Sequence, residues 1–412
     1  MSASLQPRRP WAGARVVLGV TGGIAAYKTI QVARDLTRLG AEVQVVLTRS
    51  AQKFVAPLTF EGVTGRPALT DLFSAQGAAL HIRLGREADV VCVAPATADF
   101  LARAAQGRAD DLLCTTLLAT RAPVVVCPAM NDRMFAHAQV QANLEHVRSE
   151  LGYVVEGPAE GALAVGEGEG PGRMIEGWQI QEAIGRALAR SDRWAGVSVL
   201  VTAGPTQEPI DPVRYVGNRS SGRMGYAIAQ AAWRRGADVT LVSGPSNLPA
   251  PYGVRVERVE TAVEMDAAVR TRIGEADVSV FAAAVADFRP TDPRTSKMKR
   301  AANADGLAVS FEENPDIALG TRDGRKAPSV AVGFALETDD LIENARSKLE
   351  RKGFDLIVAN RADEEGAGFG TTTNRVTILD GAGEGEALPL QSKDEVAEEI
   401  LDRVEAKLRA EA

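Results

Sequence analysis

The sequence predicts an α/β protein of two Rossmann-like domains, each built on a parallel sheet. Three observations carry this. Seven short runs, at residues 15–20, 43–47, 89–94, 124–127, 197–201, 239–242 and 278–282, are almost wholly apolar, as strands covered on both faces must be. Helix-period segments follow several of them, so successive strands connect through right-handed crossovers and run parallel. The length of 412 residues suits about two domains. The polar joint Arg190-Ser191-Asp192-Arg193 divides the chain into residues 1–190 and 191–412. A local echo supports the division: Arg38-Leu39-Gly40-Ala41-Glu42-Val43 resembles Arg234-Arg235-Gly236-Ala237-Asp238-Val239, a helix end feeding a strand in each half.

Apolar residues make up 45% of the chain and charged residues 25%, as in globular proteins. A net charge of −7 gives no reason to expect a nucleic-acid partner. No run reaches the ~20 apolar residues of a membrane helix. Cys92, Cys114 and Cys127 lie in apolar contexts without metal-ligand spacing, and no secretory signal is evident, so a reducing cytoplasm is expected. Residues 1–15 read as a loose tail.

In the first half, residues 15–20 form the first strand. Thr21-Gly22-Gly23-Ile24-Ala25-Ala26-Tyr27-Lys28 turns into a helix with Tyr27, Ile30, Ala33, Leu36 and Leu39 on one buried face. The turn is not G-x-G-x-x-G, and the second strand ends in Thr48 rather than an acid, which disfavours a dinucleotide; a hydroxyl there suits a monophosphate. The strands at 89–94 and 124–127 end in Pro95-Ala96-Thr97-Ala98-Asp99 and Pro128-Ala129-Met130-Asn131. Residues just past the carboxyl ends of parallel strands line the ligand crevice, which places Thr21, Thr97 and Asn131 on one rim. His81 lies in the segment leading to that edge; His137 and His146 read as structural or surface residues.

These motifs, in this order, resemble the flavin-dependent cysteine decarboxylase family over nearly all of residues 14–175. The resemblance implies a bound flavin mononucleotide (FMN) on Thr21, Gly22, Gly23, Ile24, Ala25, Thr48 and Thr97, His81 as the active-site base, and Asn131 holding the substrate carboxylate. The chemistry explains the parts: loss of CO2 from an N-acylcysteine needs an electron sink, which a flavin supplies by oxidising the thiol, and an imidazole can move the protons. One position departs. The family's glycine-rich flap carries a cysteine that serves the final reduction, and here Val165 stands in its place, within Gly161 to Met174. Glu167, Glu169 or water could act instead, or the step is impaired.

The second half opens on residues 197–201 and the polar loop 202–225, with Arg214, Asn218, Arg219 and Arg223 before a helix at 226–235. Glycines, hydroxyls and a helix start favour an anion site there over an ordinary connection. Strands follow at 239–242 and 278–282, the latter ending in Ala283-Ala284-Val285-Ala286-Asp287. Asp287 could meet a metal or a base edge. A basic loop at 289–303 carries Lys297, Lys299 and Arg300, suited to a polyphosphate. A helix at 340–352 places Lys348 and Lys352 on one face, and an amphipathic helix at 395–411 ends the chain.

Thr-Ala-Gly-Pro-Thr at 202–206, Asn-x-Ser-Ser-Gly-x-Met-Gly at 218–225, Lys297-Met298-Lys299 and Asn314-Pro315-Asp316-Ile317 resemble the phosphopantothenate–cysteine ligase family from about 197 to 408. Together the halves are similar to the bacterial bifunctional proteins of coenzyme A biosynthesis: an FMN-dependent decarboxylase domain at 1–190 and a CTP-dependent ligase domain at 191–412. The resemblance implies that phosphopantothenate, CTP and L-cysteine are substrates. Asn218 would stabilise an acyl-cytidylate, supported by Arg214; Lys297 would steady charge, helped by Lys299. Ala282, Ala283, Asp287, Pro315, Asp316, Ile317, Ala318, Phe334, Lys348 and Lys352 would line the CTP site, with Mg2+ bridging the phosphates at Asp287. It also implies trimeric flavin sites and dimeric ligase sites. A ligase fused to an impaired or non-catalytic flavoprotein half is the alternative that Val165 leaves open.

Overall fold

The computed structural model describes residues 6–73, 79–166, 168–299, 308–364, 366–368, 370–381 and 385–410. The chain divides into two compact units, residues 1–190 and 191–412.

The first unit runs β1 (Arg15–Val20), α1 (Ala26–Arg38), β2 (Glu42–Leu47), α2 (Pro57–Thr64), α3 (Leu80–Glu87), β3 (Val90–Ala96), α4 (Ala98–Ala105), α5 (Leu112–Ala119), β4 (Val124–Pro128), α6 (Asp132–Ala136), α7 (Ala138–Ser149) and β5 (Val154–Val155). A hairpin of β6 (Ala159–Ala162) and β7 (Glu169–Arg173) precedes α8 (Gly177–Ala189). The sheet is parallel throughout, in the order β2-β1-β3-β4-β5. The strands are apolar because both faces are covered: Val16, Val17, Leu18 and Val20 of β1, and all of β3, are buried. The chain reverses its direction of winding between β1 and β3, the position at which open parallel sheets carry their ligand crevice.

Two expectations are corrected here. On α1 the expected Ala33, Leu36 and Leu39 are buried and Ile30 partly so, whereas Tyr27 is exposed. Ala26, Thr29 and Val32 extend the buried face instead; Thr29 can enter the core with its hydroxyl donated to the Ala26 carbonyl at 2.5 Å. The described part of the N-terminal segment is not a loose tail. Trp11 is fully buried and its indole N–H donates to the Gln181 carbonyl at 3.1 Å, while the Arg8 N–H bonds the Leu39 carbonyl at 3.1 Å. Burying a tryptophan with its N–H satisfied supplies enough apolar area to order a short segment.

The second unit begins with β8 (Ser198–Ala203), a hairpin of β9 (Gln207–Pro209) and β10 (Tyr215–Gly217), α9 (Arg223–Arg235), β11 (Asp238–Ser243), β12 (Arg255–Arg258), α10 (Ala262–Arg270) and β13 (Val278–Phe281). It continues with β14 (Phe288–Pro290), β15 (Phe311–Glu313), α11 (Ile317–Gly320), β16 (Val330–Glu337), α12 (Leu341–Lys352), β17 (Leu356–Arg361), β18 (Thr373–Asn374), β19 (Thr377–Asp380), β20 (Glu386–Ala387), β21 (Gln391–Ser392) and α13 (Lys393–Ala410). The main sheet has the order β12-β11-β8-β13-β16-β17-β19-β20, parallel through β17 and antiparallel beyond it. Alternate residues of β8 show the two faces: Val199 and Val201 pack under α9 and α13, whereas Leu200 packs with Met265 and Val269 of α10. A buried ion network ties α9 to α13. Arg234 and Arg235 bond the Glu398 carboxylate at 3.1 and 2.8 Å, and Arg235 also reaches Asp402 at 2.6 Å. Removing one partner alone from such a network costs about 3–5 kcal/mol.

Candidate functional site

In the first unit the candidate crevice lies at the carboxyl ends of β1 and β3, where the winding reverses. The buried Thr21 hydroxyl donates to the Pro95 carbonyl at 2.6 Å and accepts from the Thr97 N–H at 3.2 Å. Thr21 therefore stitches the two strand ends together and presents backbone to the crevice. Thr97 caps α4, its oxygen accepting from the Phe100 N–H at 3.4 Å, and its hydroxyl proton remains able to donate. Thr48 is buried at the end of β2 and accepts from the Ala51 N–H at 3.2 Å, so its oxygen shapes the turn. Gly22 is needed in that turn: a Cβ there would stand 2.3 Å from the Ser50 Cβ. This approach brings the exposed Ser50 to the rim, a hydroxyl the sequence reading passed over.

His81 is the second residue of α3, and its Nδ1 is buried without a hydrogen-bond partner. An unpartnered buried imidazole nitrogen is uncommon in a folded protein and leaves this atom able to take a partner from a bound molecule. Asn131 caps α6 by accepting from the Arg133 N–H at 2.9 Å. With Oδ1 so held, the free end of the amide is its NH2, a pair of donors suited to a carboxylate. His137 caps α7 and His146 is exposed on that helix, as expected of structural and surface histidines.

The glycine-rich segment is the β6–β7 hairpin. It lies against the strand-end segment that carries Asn131: the Met130 N–H donates to the Gly172 carbonyl at 3.0 Å, and a Cβ on Gly172 would stand 2.2 Å from the Met130 oxygen. Val165 is fully exposed near the tip. Glu169 opens β7 and is exposed, whereas Glu167 lies outside the described residues. All three thiols are buried and unpaired as disulfides. The Cys127 thiol donates to Cys92, and this bond together with burial holds it well above its ordinary range; burial pushes the Cys114 thiol up to about 12. None of the three can stand in for a thiol at the hairpin tip.

In the second unit a cavity of about 850 Å³ opens along the carboxyl ends of β8, β13, β16 and β17, a size suited to a nucleotide-sized ligand. Asn218, Ala282, Ala283, Asp287, Pro315, Asp316, Ile317, Ala318, Phe334, Lys348 and Lys352 all line it. The Lys352 ammonium donates to the Asp316 carboxylate at 2.8 Å. Burial raises that carboxyl, but the Lys352 hydrogen bond, the Leu319 N–H and nearby cations outweigh it and hold it below the usual carboxylate range. Burial, then the charge of Lys352, pushes the Lys348 ammonium down. The Asn218 NH2 donates to the carbonyls of Ala284 and Val285 at 3.3 and 3.0 Å, which leaves Oδ1 as its free group.

Arg214, Lys297 and Lys299 do not line this cavity. Arg214 is instead half of an anchor for the basic loop. The buried Asp211 carboxylate accepts from the N–H groups of Val213, Arg214 and Met298 at 2.8, 2.9 and 3.2 Å, and from the Arg214 guanidinium at 3.2 Å. Arg214 also donates to the Met298 carbonyl at 3.3 Å. Asp211 and Arg214 thus hold Met298, and with it the neighbouring Lys297 and Lys299, against the β9–β10 hairpin. The sequence reading missed Lys393, which also lines the cavity. A cation at the first position of a helix opposes the helix dipole, and that mismatch in Ser392-Lys393-Asp394 was the available signal. Burial, then the charge of Arg223, lowers the Lys393 ammonium to about 8.

Fold and site define a two-part α/β protein, a five-stranded parallel-sheet unit followed by a unit with a nucleotide-sized cavity. The match to known families agrees. Residues 5–189 match the family model described as Flavoprotein, and residues 194–408 match the DNA/pantothenate metabolism flavoprotein C-terminal domain. The chain is 44% identical over 396 residues to the coenzyme A biosynthesis bifunctional protein CoaBC of Vibrio vulnificus (strain CMCP6), covering 96% of this chain and 98% of that one. It is 43% identical to CoaBC of Escherichia coli (strain K12), covering 95% and 97%. The crystal structure of the C-terminal domain of a CoaBC protein aligns at 39% identity with a TM-score of 0.45, over 53% of this chain and all of that one. The chain belongs to the family of coenzyme A biosynthesis bifunctional proteins.

Proposed function

We propose that this protein catalyses two reactions of coenzyme A biosynthesis: CTP-dependent ligation of 4'-phosphopantothenate with L-cysteine, then FMN-dependent decarboxylation of the product to 4'-phosphopantetheine. The observation that carries this is the pair of family matches, which together account for residues 5–189 and 194–408, with full-length relatives of both halves.

In the ligase unit, the pantothenate carboxylate attacks the α-phosphorus of CTP and pyrophosphate leaves; the cysteine amine then displaces CMP from the acyl-cytidylate. Lys348 and Lys352 would neutralise phosphate charge within the cavity, and the small Ala282 and Ala283 leave room for a flat base against backbone. Asp287 fits Mg2+: it is an exposed carboxylate at the cavity wall without a cationic partner among the described residues, near groups that would hold phosphates. Asn218 would accept through Oδ1. The Asp211–Arg214 anchor would aim Lys297 and Lys299 at the reacting phosphate, in a site shared between two copies of the chain. Exposed Val213, Tyr215, Phe288 and Phe311 on the small hairpins suit such a contact.

In the flavoprotein unit, the orphaned His81 Nδ1 and the β1/β3 crevice fit FMN, on Gly22, Gly23, Ile24, Ala25 and Thr97, in a trimer. The flavin, when bound, supplies reversible two-electron oxidation of the thiol. His81 would move the protons, and the Asn131 NH2 would hold the departing carboxylate. With every thiol buried, the last proton comes from Glu169, Glu167 or water. The buried, unpaired thiols also fit a reducing cytoplasm. No helix among the described residues is long and apolar enough to cross a membrane.

Mass spectrometry on one mixture tests both halves. It holds protein, phosphopantothenate, cysteine, CTP and Mg2+. Phosphopantetheine with CMP and CO2 is expected. A product two hydrogens short would place the fault at the Val165 substitution, and absence of CMP would overturn the ligase assignment.

A further inference from the structure

The cavity of the second unit has a lobe that the nucleotide reading leaves unassigned. The CTP-lining residues of α11 and α12 lie on one face of the sheet. Arg223, at the start of α9, and Lys393, at the start of α13, lie on the other, and the cavity reaches both across the strand ends. Arg223 is half-buried, its Nε is buried without a partner, and no carboxylate pairs with it among the described residues. Asn374 is only 4% exposed, and its Oδ1 is buried without a partner. It sits beside the α13 start because β18 pairs with β21, with Asn374 opposite Gln391. Lys393 is already committed: its ammonium donates to the carbonyls of Gly368 and Thr371 at 3.0 and 2.9 Å and to the Thr371 hydroxyl at 3.5 Å.

The lobe therefore presents one uncompensated guanidinium and one uncompensated carbonyl oxygen, with the unpartnered Nε2 of Gln391 on the strand opposite Asn374. A phosphate would satisfy the first and not the second, since its ionised oxygens only accept. A ligand with a carboxylate and an amine on one carbon satisfies both. We propose that this lobe is the L-cysteine subsite of the ligase: Arg223 takes the α-carboxylate, Asn374 Oδ1 accepts from the α-amine, and Lys393 fixes the backbone at Gly368 and Thr371 beside them. The assignment rests on the ligase reading. Asn218, in the loop that feeds α9, lines the same cavity. The amine nitrogen forms the C–N bond to the acyl carbon. The C–O bond to the phosphate breaks, CMP leaves with the electron pair, and the new amide nitrogen loses its proton to solvent. The two nearby cations favour the neutral amine that this attack needs.

The test is discrimination between L-cysteine and cysteamine, which has the amine and thiol but no carboxylate. Wild type should prefer cysteine in kcat/KM by ~10-fold or more, the effect of one charge-assisted hydrogen bond. Arg223→Met should bring the ratio close to one by raising the cysteine KM. The KM values for CTP and phosphopantothenate, and pyrophosphate formation before cysteine is added, should move by less than about threefold. Retained pyrophosphate formation shows that the variant is folded. Arg223→Lys should give an intermediate ratio, and Asn374→Leu should raise the KM for both amines. An unchanged ratio in Arg223→Met, or a rise confined to the CTP KM, overturns the subsite. No pyrophosphate from wild type overturns the ligase reading instead.

Discussion

Gly172→Ala is the sharpest probe of the first half. The residue lies in β7, where the hairpin meets Met130, and the added Cβ would stand 2.2 Å from the Met130 oxygen and 3.3 Å from the Asn131 carbonyl carbon. Ordinary contact begins near 3.4 Å, so the strand must retreat by about 1.2 Å from the segment that carries Asn131. The Met130 N–H to Gly172 carbonyl bond stretches with it. Overpacking of this kind costs about 1–3 kcal/mol, too little to unfold a domain of this size. A misplacement of about 1 Å at a reacting centre, however, costs on the order of 10²-fold in rate. The variant should keep its flavin absorbance and release CMP within twofold of wild type. Its release of CO2 from supplied phosphopantothenoylcysteine should fall about 10²-fold. Wild-type CO2 release with a folded, flavin-loaded protein would refute the reasoning, because the hairpin's register on Asn131 would then not matter to the chemistry.

The remaining predictions concern single groups. His81→Asn should keep flavin and ligase activity and lose CO2 release by ~10²-fold or more, read as evolved CO2; unchanged release would make the first half a non-catalytic flavin module. Asp211→Asn turns an NH2 toward N–H donors that a carboxylate satisfies, so CMP release should fall at least about tenfold while CO2 release holds; equal loss in both assays would point to global damage. Burial raises the Asp211 carboxyl, but the N–H groups of Val213, Met298 and Arg214 outweigh it and hold it below the usual range. Its contribution is therefore present at neutral pH and lost only as pH falls through that lowered value, a change Asp211→Asn should abolish. Lys393 works in the opposite direction. Its ammonium is penalised by burial, and below about pH 8 both folded and unfolded chains carry that proton, so the penalty is full. Between about 8 and its ordinary 10.5 the folded chain has released the proton and the unfolded chain has not, so stability rises with pH across that window. Calorimetry of wild type against Lys393→Met across that range should show the difference; parallel curves would mean the ammonium is not penalised.

The sequence by itself determined the strands and the order of events along the chain. Residues 15–20, 43–47, 89–94 and 124–127 read as buried parallel strands because they are short apolar runs of strand length with helical segments between them. The family resemblance then named Asn218, Ala282, Asp287, Pro315, Phe334, Lys348 and Lys352, which do meet in one cavity. Parallel topology accounts for part of that meeting, since every parallel strand delivers its carboxyl end to the same edge. Tertiary structure decided what periodicity does not encode. Thr21 carries the expected motif, yet its hydroxyl is turned into the Pro95 carbonyl, a partner 74 residues away. Trp11 converts an expected tail into packed structure through Gln181, 170 residues on. The α9–α13 ion network and the β18–β21 pairing bring Arg223, Asn374 and Lys393 into one lobe, from positions that share no motif and no period. A local pattern fixes which face of an element is apolar. Which polar atoms remain without partners once the faces are joined is a property of the assembled chain and of no local pattern.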